Sequence, residues 1–361
     1  MIIQQLYLDH YLNSTYFPKN SNMKILIIGA GWYGCHLAKI LLEAGHEVLI
    51  VDKENAIMTG SSVKNQNRLH LGYHYPRSAS TIEECRAGFH EFKHMYPSLS
   101  SPFPGNYYFL SARDSHITAE TYALLYDTRP LYTVPTLLNV QNVQYPYFET
   151  DEEYIHPFKV QAYFRELLTP HFKSIKSIAD FESLDSIHAG IGTPVDLTIN
   201  CTYNHFMPIP CDHYEYFVSF LYHIPGDLFA FTLMDGPFFS IYPYDYEKRV
   251  YTVTSVVHGV LYTGHSIPSA VPASSSEIED RRRATEAQVR QYLPDLEMNY
   301  VNHFTSWKTK PCTDTDDRSL RFHIDHDRKL LHFYGGKITG IFQAEKIVTA
   351  YLKLHDNSES L

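Results

Sequence analysis

The chain predicts an α/β fold in which a parallel-sheet domain is interrupted by an antiparallel, β-rich insertion. Three observations lead there. A strand, a glycine turn, a helix and a second strand follow one another without a gap between Ile25 and Asp52. A second glycine turn, Gly335-Gly336, stands between an apolar strand and an amphipathic helix near the other end. Between the two, residues 105–113 and 214–262 are aromatic-rich and extended in pattern, with little helical periodicity.

The first unit, "MKILIIGAGWYGCHLAKILLEAGHEVLIVDKE", justifies itself piece by piece. Ile25 to Ile28 is a short apolar run suited to a buried parallel strand. Gly29-Ala30-Gly31-Trp32-Tyr33-Gly34 fits G-x-G-x-x-G, and a helix follows with Gly45 as its stop. The second strand runs from Glu47 to Val51 and ends at Asp52. In a dinucleotide site Gly29 permits the tight turn, Gly31 lets the backbone approach a pyrophosphate, and Gly34 lets helix and strand pack closely. The helix start offers N–H groups and a positive dipole end to phosphates, and Asp52 can accept from a ribose diol.

The middle of the chain reads differently. Phe229 to Leu233, Phe238 to Tyr242 and Val250 to Val257 are predicted strands, with turns at residues 234–237 and at Pro243-Tyr244-Asp245. Ser274 to Leu293 turns helical, opening on serine caps and acidic residues. Its run Arg281-Arg282-Arg283 reads as a solvated helix face. These shifts divide the chain into a discontinuous nucleotide-binding domain (23–100, 150–212 and 300–361) and a substrate domain (101–149 and 213–299).

Composition narrows the partners. A formal net charge of −10 gives no electrostatic reason to expect nucleic acid or an anionic membrane surface. No apolar run approaches the length of a membrane span. Five cysteines without a CxxC (Cys35, Cys85, Cys201, Cys211 and Cys312) give little support to a zinc site or redox dithiol, so no metal is expected. His70-x-x-x-His74 has the spacing of a helical metal pair, but Gly72 and Pro76 argue against a helix there. No G-x-S-x-G elbow is present to anchor a hydrolase triad. Residues 1–22 lack the basic start and apolar core of a secretory signal. They are read as a dispensable extension before Met23, and a cytoplasmic protein is the default expectation.

One stretch stands apart: "NQNRLHLGYHYPRS", Asn65 to Ser78, which follows the small-residue segment Thr59-Gly60-Ser61-Ser62. It has no clean period and many hydrogen-bonding side chains. Asn67, Arg68, His70, His74, Tyr75 and Arg77 are its candidate site residues. The competing reading has both arginines paired with carboxylates and the histidines as hydrogen-bonded core groups.

Taken with "EEYIHPFKVQAYFREL" (152–167), "PVDLTINCTYN" (194–204) and Gly335-Gly336-Lys337-Ile338-Thr339, the chain resembles the FAD-dependent oxidoreductases of the D-amino-acid oxidase-like superfamily. That group includes glycine and sarcosine oxidases and glycerol-3-phosphate dehydrogenases, and the resemblance covers most of residues 23–353. It implies a glutathione-reductase-like Rossmann domain with bound FAD and a substrate domain covering the flavin. Ser61 and Ser62 would wrap the flavin phosphates, and Asn67 would run beneath the isoalloxazine ring. Thr202 would lie near the adenosine half, and Gly335 to Thr339 would offer backbone N–H groups to the flavin's electron-rich edge. Lys310 stands where relatives often carry an arginine for an anionic substrate group. Cys312 lies in the region where some sarcosine oxidases attach flavin covalently. The implied reaction is hydride transfer from a C–H beside an amine or hydroxyl of a small polar substrate to flavin N5, with oxygen or another acceptor reoxidising the flavin. Two alternatives remain. One is a non-redox flavin enzyme resembling sugar-nucleotide mutases. The other is a catalytically silent FAD-binding protein, supported by Tyr203 where relatives carry glycine.

Overall fold

The computed structural model describes residues 22–126, 130–131, 138–175, 183–209, 212–268, 273–311 and 318–358. They fall into two units. The first takes the chain up to Ser62, Gln161–Pro210 and the chain from Arg318; the second takes Val63–Val160 and Cys211–Asp317.

In the first unit a six-stranded sheet is centred on Lys24–Ile28. Glu47–Asp52 pairs with it on one side and Leu197–Asn200 on the other, both parallel, with Ile25 opposite Val48 and Leu197. Phe172–Ser174 and Leu330–Tyr334 extend the parallel run, and Arg321–Asp325 closes one edge antiparallel. Ile25 to Ile28 are all buried. A strand covered on both faces reads as a continuous apolar run, which is why the central strand is visible in the sequence. Helix Trp32–Glu43 follows the glycine turn, and the chain leaves it at Gly45 with φ +94°. In this helix the buried His36 lies 3.0 Å from Glu345 of helix Gly340–Ser358, tying the two helices together.

The second unit is built on a nine-stranded sheet. Its neighbours run in the order Val260–Gly264, Asp212–His223, Val250–Ser255, Phe239–Asp245, Ala230–Met234, Asn106–Leu110, Tyr147–Glu149 and Pro130–Leu131. Asn299–Pro311 pairs along Asp212–His223. All of these contacts are antiparallel except that between Ala230–Met234 and Asn106–Leu110. The strand period of two separates the faces. Phe231, Ile241, Val253 and Phe220 lie in register on the apolar side. The opposite side carries hydroxyls in register, Tyr108, Thr232, Ser240 and Thr254, with Thr254 Oγ1 donating to Ser219 Oγ at 3.2 Å.

Two expectations need correction. Residues 63–100, 150–160 and 300–311 belong with the β-rich unit and not with the nucleotide-binding domain. The reason is long-range pairing. Arg68–Leu69 and Ser100–Ser101 flank Glu153–Ile155 in a three-stranded sheet, and Asn299–Pro311 ladders onto Asp212–His223. Pro243-Tyr244-Asp245 is not a turn. The strand continues to Asp245 through a register shift, where a proline without an N–H is tolerated, and the chain turns at residues 246–249. Helix Ser275–Tyr292 forms as expected, with Ser274 accepting from Glu277 N at 3.2 Å. Arg281, Arg282 and Arg283 pair with glutamates of the same helix. Among the described residues, no helix is long and apolar enough to cross a membrane.

Candidate functional site

The cofactor candidates of the first unit gather at the carboxyl ends of its parallel strands. Gly29 follows Ile28, Asp52 ends the second strand, Thr202 lies two residues past Asn200, and Gly335 follows Tyr334. Open α/β sheets bind ligands at this edge. Gly29 has φ +105°, and a Cβ there would sit 2.6 Å from the Cys201 carbonyl oxygen. At Gly34 a Cβ would lie 1.9 Å from the Gly29 carbonyl oxygen, so helix and turn meet only because no side chain intervenes.

Each neighbour of the turn has a definite job. Asp52 accepts from Ala30 N at 2.6 Å and from Glu54 N at 2.9 Å. Burial raises its pKa above the ordinary carboxylate value despite these two N–H groups. A carboxylate offers about four acceptor positions, so capacity remains for a ribose diol. Ser62 Oγ accepts from Trp32 N at 3.0 Å, capping the helix start from outside, with Ser61 beside it in the chain. Gly31 leaves room beside Ser62 that a Cβ, 2.7 Å from Ser62 Oγ, would fill. The Tyr33 hydroxyl donates to the Lys337 carbonyl at 2.9 Å, joining the first glycine turn to the second. Thr339 is 4% exposed, and its hydroxyl has no hydrogen-bond partner among the described residues. Thr202 is anchored by Asn200 Oδ1, to which its N–H and hydroxyl both donate. The room beside Gly31, the unpartnered Thr339 hydroxyl and two glycine turns at one edge fit a cofactor with a pyrophosphate and a polar ring. Tyr203, where the resemblance implies a glycine, has φ +59°. Its backbone therefore keeps the left-handed conformation that glycine adopts freely.

The residues from Asn65 to Ser78 lie in the second unit, where Arg68 and His70 join a buried ionic cluster. Arg68, 5% exposed, donates through Nη1 to the Tyr108 hydroxyl at 2.6 Å and through Nη2 to Gln66 Oε1 at 3.3 Å. Its guanidinium lies 4.3 Å from the Tyr242 ring centroid and 3.9 Å from Glu152 Oε2. Glu152, 1% exposed, also accepts from the Tyr108 hydroxyl at 2.5 Å and from Leu71 N at 2.8 Å, with His70 Nδ1 at 3.3 Å. Burial alone would raise the Glu152 carboxyl, but His70, Arg68 and the Tyr108 hydroxyl outweigh it and hold the group below its ordinary value. His74 and Tyr75 extend the cluster as rings, 6.3 and 5.6 Å from His70.

The other candidates sit apart from these partners. Asn67 is buried with φ +51°, its N–H on Asn65 Oδ1 and its carbonyl accepting from Ile155 N at 2.7 Å. Arg77 pairs with Asp235 at 3.0 Å. Lys310 forms an ion pair with Glu215. Cys312 lies outside the described residues. Glu152, Tyr108 and Tyr242 escape the sequence reading. The signal for Glu152 is present all the same, as the middle of three consecutive acids, the last of which opens a short buried strand.

Comparison with known proteins points to one family. The family model described as "DAO: FAD dependent oxidoreductase" matches residues 24–344. The FAD-dependent monooxygenase FPY4 of Fusarium mangiferae is 30% identical over 336 residues, 90% of each chain. The FAD-dependent monooxygenase kojA of Aspergillus flavus is 40% identical over 79 residues, 22% of this chain and 18% of that protein. Among solved structures, glycine oxidase from Bacillus cereus superposes with a TM-score of 0.63 at 13% identity, covering 92% of this chain and 95% of that one. L-alpha-glycerophosphate oxidase from Mycoplasma pneumoniae gives 0.64 at 13% identity, covering 92% and 94%. At that identity the likeness is one of fold.

Proposed function

Since the chain belongs to the DAO family of FAD-dependent oxidoreductases and is an FAD-dependent enzyme, we propose that it oxidises a C–H bond beside an amine or hydroxyl of a small polar substrate. The observation that carries this reading is the meeting of both glycine turns at one edge of the parallel sheet, bridged by Tyr33 and Lys337. FAD, when bound, supplies the two-electron chemistry by accepting hydride at N5. Gly31, Ser61 and Ser62 hold the pyrophosphate, Asp52 the ribose, and Gly335 to Thr339 the ring. Arg68, His70, His74 and Tyr75 orient the substrate, whereas Lys310 already pairs with Glu215 and would have to exchange that partner to meet an anionic group on the substrate. Asn67 fixes the backbone from which these side chains project. Tyr203 does not argue for lost turnover, because its backbone keeps the glycine-like conformation.

A second reading is favoured by the Fusarium relative, an FAD-dependent monooxygenase. A monooxygenase places one atom of O2 in the substrate and releases the other as water, with two electrons from a reduced nicotinamide. Anaerobic mixing with amines, N-methyl amines and hydroxy acids separates the two. Bleaching of the flavin by substrate alone supports the first. Flavin that stays oxidised with every substrate, in a protein that consumes NADPH and incorporates label from 18O2, overturns it in favour of the second.

A further inference from the structure

The second glycine turn is held by a side chain from the opposite end of the chain. Tyr33 stands just before the last glycine of the Gly29–Gly34 turn, and its hydroxyl donates to the Lys337 carbonyl at 2.9 Å across 304 residues. A peptide is planar and trans, so its C=O and the N–H that follows point in opposite directions. Fixing the Lys337 carbonyl on Tyr33 therefore aims the Ile338 N–H away from Tyr33. Gly335 is the counterpart of this contact. A Cβ there would lie 2.3 Å from the Tyr33 hydroxyl oxygen and 3.2 Å from the ring carbon bearing it. The φ of Gly335 lies outside the left-handed region, so glycine is needed for the clearance and not for the backbone angle.

We propose that Tyr33 is a positioning residue for the cofactor. It sets the orientation of the Lys337–Ile338 peptide that the second turn presents to FAD, and Gly335 stays without a side chain to admit the Tyr33 hydroxyl. This rests on the reading that the turn from Gly335 to Thr339 holds the flavin ring.

The test uses the full chain and the variants Tyr33→Phe, Gly335→Ala and the double variant. Three quantities are measured: the dissociation constant for FAD added to apoprotein, the melting temperature of the apoprotein, and the midpoint potential of bound FAD. Loss of this one part-buried hydrogen bond weakens FAD binding about 3–10-fold in Tyr33→Phe. With the N–H no longer aimed, the potential moves to more negative values while the apoprotein melts near the parent temperature. Gly335→Ala weakens FAD more than Tyr33→Phe does. Because the clashing oxygen is gone in Tyr33→Phe, the double variant binds FAD more tightly than Gly335→Ala alone. A Tyr33→Phe protein with parent affinity and potential overturns the proposal, whatever its melting temperature. So does a double variant no better than Gly335→Ala. A parent chain that takes up no FAD instead sinks the reading beneath it, and the proposal with it.

Discussion

Glu152→Ala is expected to cost about 3–5 kcal/mol of stability, because it leaves a buried guanidinium without its counter-charge. The carboxylate is 1% exposed and lies 3.9 Å from Arg68, which is itself 5% exposed. Without Glu152, Arg68 keeps, among the described residues, the Tyr108 hydroxyl and ring, Gln66 Oε1 and the face of Tyr242. Tyr108 and Leu71 N also lose their acceptor. Those bonds are part of the same penalty and are not added to it. Against a total stability of about 5–15 kcal/mol the loss is large. Replacing both partners, as in Arg68→Met with Glu152→Gln, removes the unpaired charge and is expected to return to within about 2 kcal/mol of the parent. Urea melts of apoprotein measure this without the contribution of bound cofactor. A Glu152→Ala loss below about 1 kcal/mol, or a double variant whose loss equals the sum of the singles, refutes the coupling. The pH dependence has a fixed sign. The folded carboxyl titrates below its ordinary value, so its contribution is full above about pH 4.5 and is lost as pH falls through the folded value. Glu152→Gln should flatten that part of the acid limb.

Gly31→Val is expected to yield protein that retains no FAD, since even a Cβ would sit 2.7 Å from Ser62 Oγ; a yellow purified variant would contradict this. Burial and the neighbouring His323 push His332 down to about 4, whereas an unfolded histidine titrates near 6.5. The native state therefore binds fewer protons, and between pH 7 and pH 5 this group removes about 2 kcal/mol of stability. His332→Gln should narrow the gap between melts at the two pH values by that amount, and an unchanged gap rules the account out. Arg68→Ala, if Arg68 also orients substrate, should slow anaerobic flavin reduction with FAD still bound. Early melting with parent-rate reduction would mark it as structural only. Tyr203→Gly relieves a left-handed conformation worth about 1 kcal/mol, partly offset by the greater freedom of glycine when unfolded. It should melt no lower than the parent, and a clear drop would show that the Tyr203 ring contributes more than its backbone costs.

The strand, glycine turn, helix and Asp52 are legible in the sequence because each is specified by close neighbours. Apolar continuity marks a strand buried on both faces, and Gly29 and Gly34 mark backbone positions where no Cβ fits. Gly335 and Gly336 are legible as the same device repeated. The alternating aromatic segments announce an antiparallel sheet for a similar reason, since a period of two survives in the chain itself. Pairing is another matter. Nothing near Asn299–Pro311 says that it ladders onto Asp212–His223, and so the domain boundary is misplaced. The candidate site divides along the same line. Arg68 and His70 stand out by residue type, but Glu152, 82 residues from His70, turns that stretch into a compensated buried cluster. Tyr33 looks like a filler position of a familiar motif until the fold carries Lys337 to its hydroxyl. Local propensity acts through neighbours in the chain, whereas these contacts depend on where each sheet carries distant backbone, which only the folded chain decides.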